Sequence, residues 1–164
     1  MLCWKVKPNF FIIIRMNDIF KIYIDRLKTK EAEEFDIKVD PSFLKANESE
    51  LTFNKLVEVK GKTYLAQNDL VIDLNAKAYY NMPCSICNEL AENFLEIEHF
   101  IKVVELSSIK DAVFDFSSIL RDEILLQLPQ FIECNFGNCS KRNEIKQYFK
   151  KDNEKHFPFQ DIEL

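Results

Sequence analysis

Apolar and polar residues alternate along several stretches of the chain, and each such stretch predicts a strand wet on one side. Ile19-Phe20-Lys21-Ile22-Tyr23-Ile24 places Phe20, Ile22 and Ile24 on one face. Arg26 to Glu34 is charged and reads as a solvated turn. Phe35-Asp36-Ile37-Lys38-Val39 alternates again, Pro41 ends it, and the segment to Glu50 reads as a short helix or loop. Leu51, Phe53, Val57 and Val59 keep period two. Lys60-Gly61-Lys62 predicts a turn, since glycine takes positive φ freely. The chain returns over Thr63 to Ala66 and turns again at Gln67-Asn68-Asp69. Leu70, Ile72, Leu74, Ala76, Ala78 and Tyr80 then share one face, the cleanest alternation in the chain. Leu95, Ile97, Ile101 and Val103 continue the pattern, with His99 as the odd member.

The period changes after Asp115. Phe116, Leu120, Ile124 and Leu128 recur every four residues, with Ile119 and Leu125 widening the stripe, and this predicts a helix over Asp115–Leu128. Asp115 opens it, because its carboxylate can accept first-turn backbone N–H groups. Pro129 stops it by disfavouring helical geometry at Leu128. The expected architecture is α+β: one curved, largely antiparallel sheet over Ile19–Val104 with this helix packed on it.

Composition narrows the function classes. A chain of 164 residues suits one domain with one core. The only glycines are Gly61 and Gly137, so neither a phosphate-cradling P-loop nor a dinucleotide-binding glycine turn can be written. Phe10-Phe11-Ile12-Ile13-Ile14 is shorter than the ~7–15 apolar residues of a signal peptide and far short of the ~20 that span a bilayer. Residues 1–18 read instead as an extension, either an extra strand or sequence ahead of a start at Met16, and 19–164 as the domain with a charged C-terminal tail.

The cysteines pose the main chemical question. Cys84 and Cys87 lie two residues apart in the connection between two strands, while Cys134 and Cys139 follow the helix with a spacing of four. Together they look like a clip that fixes the middle of the chain to its end. Zinc takes four thiolate or imidazole ligands in a tetrahedron, and short-loop pairs supply two each, so the four cysteines form a candidate structural zinc site. The alternatives are packed thiols without metal, or a thiol oxidoreductase with Cys84 or Cys87 as nucleophile. Cys3 leaves an odd count, which does not suit a secreted disulfide scaffold.

Other chemistry is sparse. His99 and His156 belong to no catalytic triad, and the carboxylates are scattered, so a non-enzymatic protein is expected. The net charge of −5 leaves room only for a local basic patch. The segment Lys141–Lys155 offers one, with Lys146, Lys150 and Lys151 as candidate RNA contacts beside Tyr148 and Phe149; the other reading is a solvated helix face.

The order of these features carries a resemblance. Ile19-Phe20-Lys21-Ile22 with Arg26-Leu27 forms an opening strand, and Pro83-Cys84-Ser85-Ile86-Cys87 a cysteine step at a strand end. Asp115-Phe116, Glu123, Leu126 and Leu128-Pro129 mark the helix, Cys134 and Cys139 follow it, and Phe157-Pro158-Phe159-Gln160-Asp161-Ile162 closes the chain. This order, from Ile19 onward, resembles the YceD family of large ribosomal RNA subunit accumulation proteins. Ile86 and Asn88 depart from the family pattern, which has Arg and Leu around the second cysteine. The resemblance implies a cytoplasmic, non-enzymatic accessory factor for the synthesis, processing or stability of large-subunit ribosomal RNA. Its partners would be ribosomal RNA or ribosomal and assembly proteins, with no membrane and no small-molecule substrate. The alternative is a zinc-stapled protein-interaction module unrelated to ribosomes.

Overall fold

The computed structural model describes residues 18–46 and 50–146. The N-terminal apolar run, Met16, Cys3, His156, Tyr148, Phe149, Lys150, Lys151 and the closing Phe157–Ile162 lie outside them. The fold is α+β, with every strand pairing antiparallel. Four strands form a meander: β2 (Glu33–Val39), β3 (Val57–Ala66), β4 (Asp69–Pro83) and β5 (Leu90–Glu105), in that spatial order. A two-stranded sheet pairs β1 (Lys21–Tyr23) with β6 (Val113–Asp115). No helix among the described residues is long and apolar enough to cross a membrane.

The alternation over 70–80 places its residues as expected: Leu70, Ile72, Leu74, Ala76, Ala78 and Tyr80 are all buried. Val57, Val59 and Thr63 continue this inward row on β3. The outward face is charged and ordered. One row, Lys38–Glu58–Lys77–Glu96, crosses all four strands with alternating sign. Within it Lys38 bonds Glu58 and Lys77 bonds Glu96, both at 2.6 Å. Lys60–Asp36 and Lys62–Asp73 add two further direct cross-strand pairs. These pairs are exposed and screened, so each adds little to stability by itself. Their larger effect is on register, because a one-residue slip would set every charge against the core.

Three local expectations are corrected. The opening strand is short: Ile24 begins a helical turn, α1 (Ile24–Leu27), yet Phe20, Ile22 and Ile24 are all buried. Gly61 is not in a turn. It lies mid-strand in β3, paired with Phe35 and Leu74. A Cβ there would stand 2.8 Å from the tip of the Phe35 ring and 2.5 Å from the Asp73 carbonyl oxygen. The missing side chain makes room for Phe35, whose ring centroid lies 5.5 Å from that of Phe116. In β5 the alternation changes phase. Leu74 faces Phe100 and Ala76 faces Ile97, so Glu98 and His99 together oppose the single residue Asn75. His99 takes φ 53°, and its N–H donates to Asn75 Oδ1 at 2.7 Å. This bulge turns Phe100 and Val104 toward the core and leaves Ile101 and Val103 exposed.

The helix α2 spans Ser117–Leu126, inside the predicted limits. The Asp115 carboxylate accepts the Ser117 N–H at 2.9 Å, and Phe116 N–H donates to Phe20 O at 3.1 Å, tying the helix start to β1. Phe116, Leu120 and Ile124 enter the same core as the inward rows of β3 and β4. Arg121 Nε donates to Leu44 O at 2.8 Å and holds α2 against the 3₁₀ turn Pro41–Leu44. A final helical turn, α3, covers Arg142–Lys146.

Candidate metal centre

The cysteine step begins where β4 ends. Cys84 N–H donates to Glu89 O at 2.9 Å, and Asn88 N–H returns to Cys84 O at 2.8 Å, closing a tight loop around Cys87. Asn88 sits at φ 59°, a left-handed conformation that asparagine accepts more readily than most side chains. Ile86 N–H points at Cys84 Sγ, 3.5 Å away. The loop is thus wrapped around a sulfur by its own backbone donors.

The second pair arrives from the far side of α2. After Pro129 the chain runs back alongside the loop, and Cys84 and Ile132 form an isolated parallel bridge. Ile132 O accepts both the Ser85 N–H, at 2.8 Å, and the Ser85 hydroxyl, at 3.0 Å. Cys134 N–H then donates to Cys84 Sγ at 3.3 Å. From Cys134 the backbone turns left-handed, with Asn135 at φ 51°, Phe136 at φ 52° and Gly137 at φ 90°, before Cys139. Only glycine adopts such geometry without penalty, so Gly137 eases the tightest part of the turn. Arg142 N–H donates to Cys139 O at 3.0 Å, and α3 starts there.

The two pairs converge. The sulfurs of Cys84, Cys87, Cys134 and Cys139 all lie within 4.8 Å of one another, and Cys87 Sγ is 3.8 Å from Cys134 Sγ. A regular tetrahedron with metal–sulfur bonds of about 2.3 Å has edges of about 3.8 Å. Four sulfurs in this arrangement, two buried and two half-buried, fit one tetrahedral ion. All four are free thiols, with no disulfide between them.

The electrostatics fit the same use. The N–H of Cys134, then that of Cys87, lowers the Cys84 pKa to about 6, with Ile86 N–H adding to them against the cost of burial. Of the four, Cys84 is the sulfur whose surroundings most favour the thiolate. Hydrogen bonding to the Cys139 thiol and desolvation push Cys134 up to about 12. Cys87 accepts the Glu89 N–H, which favours its thiolate, but desolvation and the neighbouring thiols raise it overall. Several sulfurs crowded this closely cannot all ionise unless a cation balances them, and metal binding would expel the remaining protons. Of the two candidate nucleophiles, Cys84 is 1 % exposed and closed to a substrate, while Cys87 is half-buried and lines a groove open to solvent.

Sequence reasoning did not find the partners that hold the pairs together. Ser85, which has no distinctive pattern around it in the chain, clamps Ile132. Glu133 pairs with Arg142 across the second loop, and its other carboxylate oxygen is buried with no hydrogen-bond partner among the described residues. A charge directly beside a ligand cysteine, with a counter-charge just past the second ligand, was the available signal. Of the candidate RNA contacts, Lys146 ends α3, while Lys150 and Lys151 are not described. Comparison with protein-family models, with curated proteins and with solved structures finds no match for the chain.

Proposed function

We propose that this chain is a non-enzymatic, zinc-stapled accessory factor in the synthesis, processing or stability of large-subunit ribosomal RNA, acting in the cytoplasm. The observation that carries the reading is the convergence of two cysteine pairs, distant in sequence, on one tetrahedral set of sulfurs. The pairs stand at the end of a strand and after the Leu-Pro stop of a helix, the positions at which the chain resembles the YceD family. Zinc is the proposed ion because four thiolates are the donor set of closed structural zinc sites. Such an ion would staple the connection between β4 and β5 to the segment after α2, and leave the surface of the domain for ribosomal RNA or for ribosomal and assembly proteins.

The test has two parts. Protein purified without chelator should carry one zinc per chain by elemental analysis. The tagged protein should cosediment with large-subunit precursor particles, and its depletion should lower large-subunit relative to small-subunit ribosomal RNA. A metal-free, fully folded protein refutes the staple. A normal ribosomal RNA ratio after depletion, with no cosedimentation, refutes the ribosomal role.

A further inference from the structure

Cys87 and Cys134 come from different pairs, yet they share one open surface. A groove of about 350 Å³ beside the cluster has both of them in its wall, and neither Cys84 nor Cys139. The two groove cysteines are half-buried, whereas Cys84 and Cys139 are 1 % and 5 % exposed. A small molecule entering the groove therefore meets two sulfurs of the four, one from each pair.

Those two are also close together. Cys87 Sγ and Cys134 Sγ stand 3.8 Å apart. A disulfide bond is about 2.05 Å long, so a small movement joins them. Little resists that movement on the Cys134 side. Asn135, Phe136, Gly137 and Asn138 are all exposed, and the turn they form can shift without opening the core. The buried sulfurs are held differently. Cys84 Sγ accepts the N–H groups of Ile86 at 3.5 Å and Cys134 at 3.3 Å, at the centre of the loop it organises.

We propose that Cys87 and Cys134 are an oxidative modification site, at which hydrogen peroxide joins them in a disulfide while Cys84 and Cys139 stay reduced. The Cys87 sulfur attacks one peroxide oxygen. An S–O bond forms, the O–O bond breaks, and the hydroxide released takes the thiol proton and leaves as water. The Cys134 sulfur then attacks the Cys87 sulfenic sulfur. The S–S bond forms, the S–O bond breaks, and hydroxide leaves with the second thiol proton as a second water. Two thiols lose two electrons, and one peroxide is reduced to two waters. The product ties the connection between β4 and β5 covalently to the segment after α2, across 47 residues. A small thiol such as glutathione reverses it by exchange.

This step goes beyond the proposed function and stands without it, since it uses only the chain's own sulfurs. In a zinc-loaded chain the same bond withdraws two of four ligands and frees the ion.

Peroxide treatment of the full chain, purified without chelator and freed of reductant, tests it. The treated chain is denatured, alkylated and digested without reduction, and its peptides are mapped by mass. One cross-link should dominate, Cys87 with Cys134, and Cys84 and Cys139 should be found alkylated. Cys87→Ser should slow disulfide formation within the chain about tenfold or more. Cys3→Ser should leave the rate and the cross-link unchanged, and dithiothreitol should restore the free thiols. A dominant cross-link between any other two cysteines, Cys3 included, overturns the proposal. So does sulfinic acid at Cys87 without a cross-link, or a chain that peroxide leaves unmodified. Zinc content is read on the same sample before treatment. The expected cross-link in a chain that carries no zinc keeps the modification site and refutes the zinc staple. A zinc-loaded chain that forms another cross-link, or none, does the reverse.

Discussion

Around α2 the residues Leu44, Val57, Val59, Leu70, Leu120 and Ile124 are all 0 % exposed, while around the cysteines Leu90, Phe131 and Phe136 stand two-thirds or more in water. The first region is closed by apolar packing from strands, a 3₁₀ turn and a helix. The second has little to bury beyond Ile132, Cys84 and Cys139, and is organised by backbone N–H groups directed at sulfur. Where carbon closes a region, the hydrophobic effect holds it whatever is dissolved around it. Where four sulfurs lie together instead, an ion held by them would add the stability that apolar packing does not supply. One small domain thus joins an apolar core to an end built from sulfur and backbone donors.

The largest effect that would break this contrast is metal removal. Structural zinc in small domains contributes about 10–16 kcal/mol of apparent binding free energy. Chelation, or Cys84→Ser with Cys139→Ser, should free amides in 84–90 and 131–142 to hydrogen exchange while β3 and β4 stay protected. Equal loss of protection throughout would show a single cooperative unit and end the distinction. Next in size are the core truncations. Leu120→Ala and Ile124→Ala, at fully buried positions, should each cost about 2–5 kcal/mol in urea melts. Leu126→Ala, on the same helix at 81 % exposure, should stay within about 0.5 kcal/mol.

Smaller effects sharpen the picture within the core. Gly61→Ala should cost about 1–3 kcal/mol, because its methyl meets the Phe35 ring and the Asp73 carbonyl. Phe35→Leu in that background should recover part of the loss, and no recovery would mean that the Asp73 carbonyl and Leu74 Cβ on β4 set the limit. Arg121→Ala should cost about 1 kcal/mol, the loss of one hydrogen bond to Leu44 O. If thermal melts show no change, the 3₁₀ turn is held by Leu44 burial rather than by the guanidinium.

Much of the core was legible in the sequence because period and burial coincide there. The rows Phe35–Val39 and Leu70–Tyr80 and the stripe Phe116–Ile124 keep one phase from end to end. Legibility failed where one residue type serves two purposes. Gly61 carries the signature of a turn, and only the placement of Phe35 on the neighbouring strand shows that it is a gap for a ring. Ile101 and Val103 match the period of Ile97 in sequence, but the extra residue at His99 inverts it, and the apolar step from Ile97 to Phe100 was the trace of that inversion. The cysteine pairs and their meeting were legible, because one tetrahedral ion needs both pairs. What holds them together was not, because the bridge between Cys84 and Ile132 and the Ser85 clamp have no pattern in the chain.

The distance in sequence between the two pairs also orders events in time. Cys87 and Cys134 are 47 residues apart. At a synthesis rate of about 5–20 residues per second, the first pair exists for several seconds before its partners are made. During that interval it offers half of a coordination sphere, enough to hold an ion loosely and too little to enclose it. Strands β2 to β4 are complete by then and can begin to pair. The last ligands are added only after β5, β6 and α2 have been made, so the ion would lock a domain whose other contacts are already in reach. Closing this long loop last would make such a staple a checkpoint on synthesis: a chain cut short before Cys134 would have most of the core residues and an open clasp.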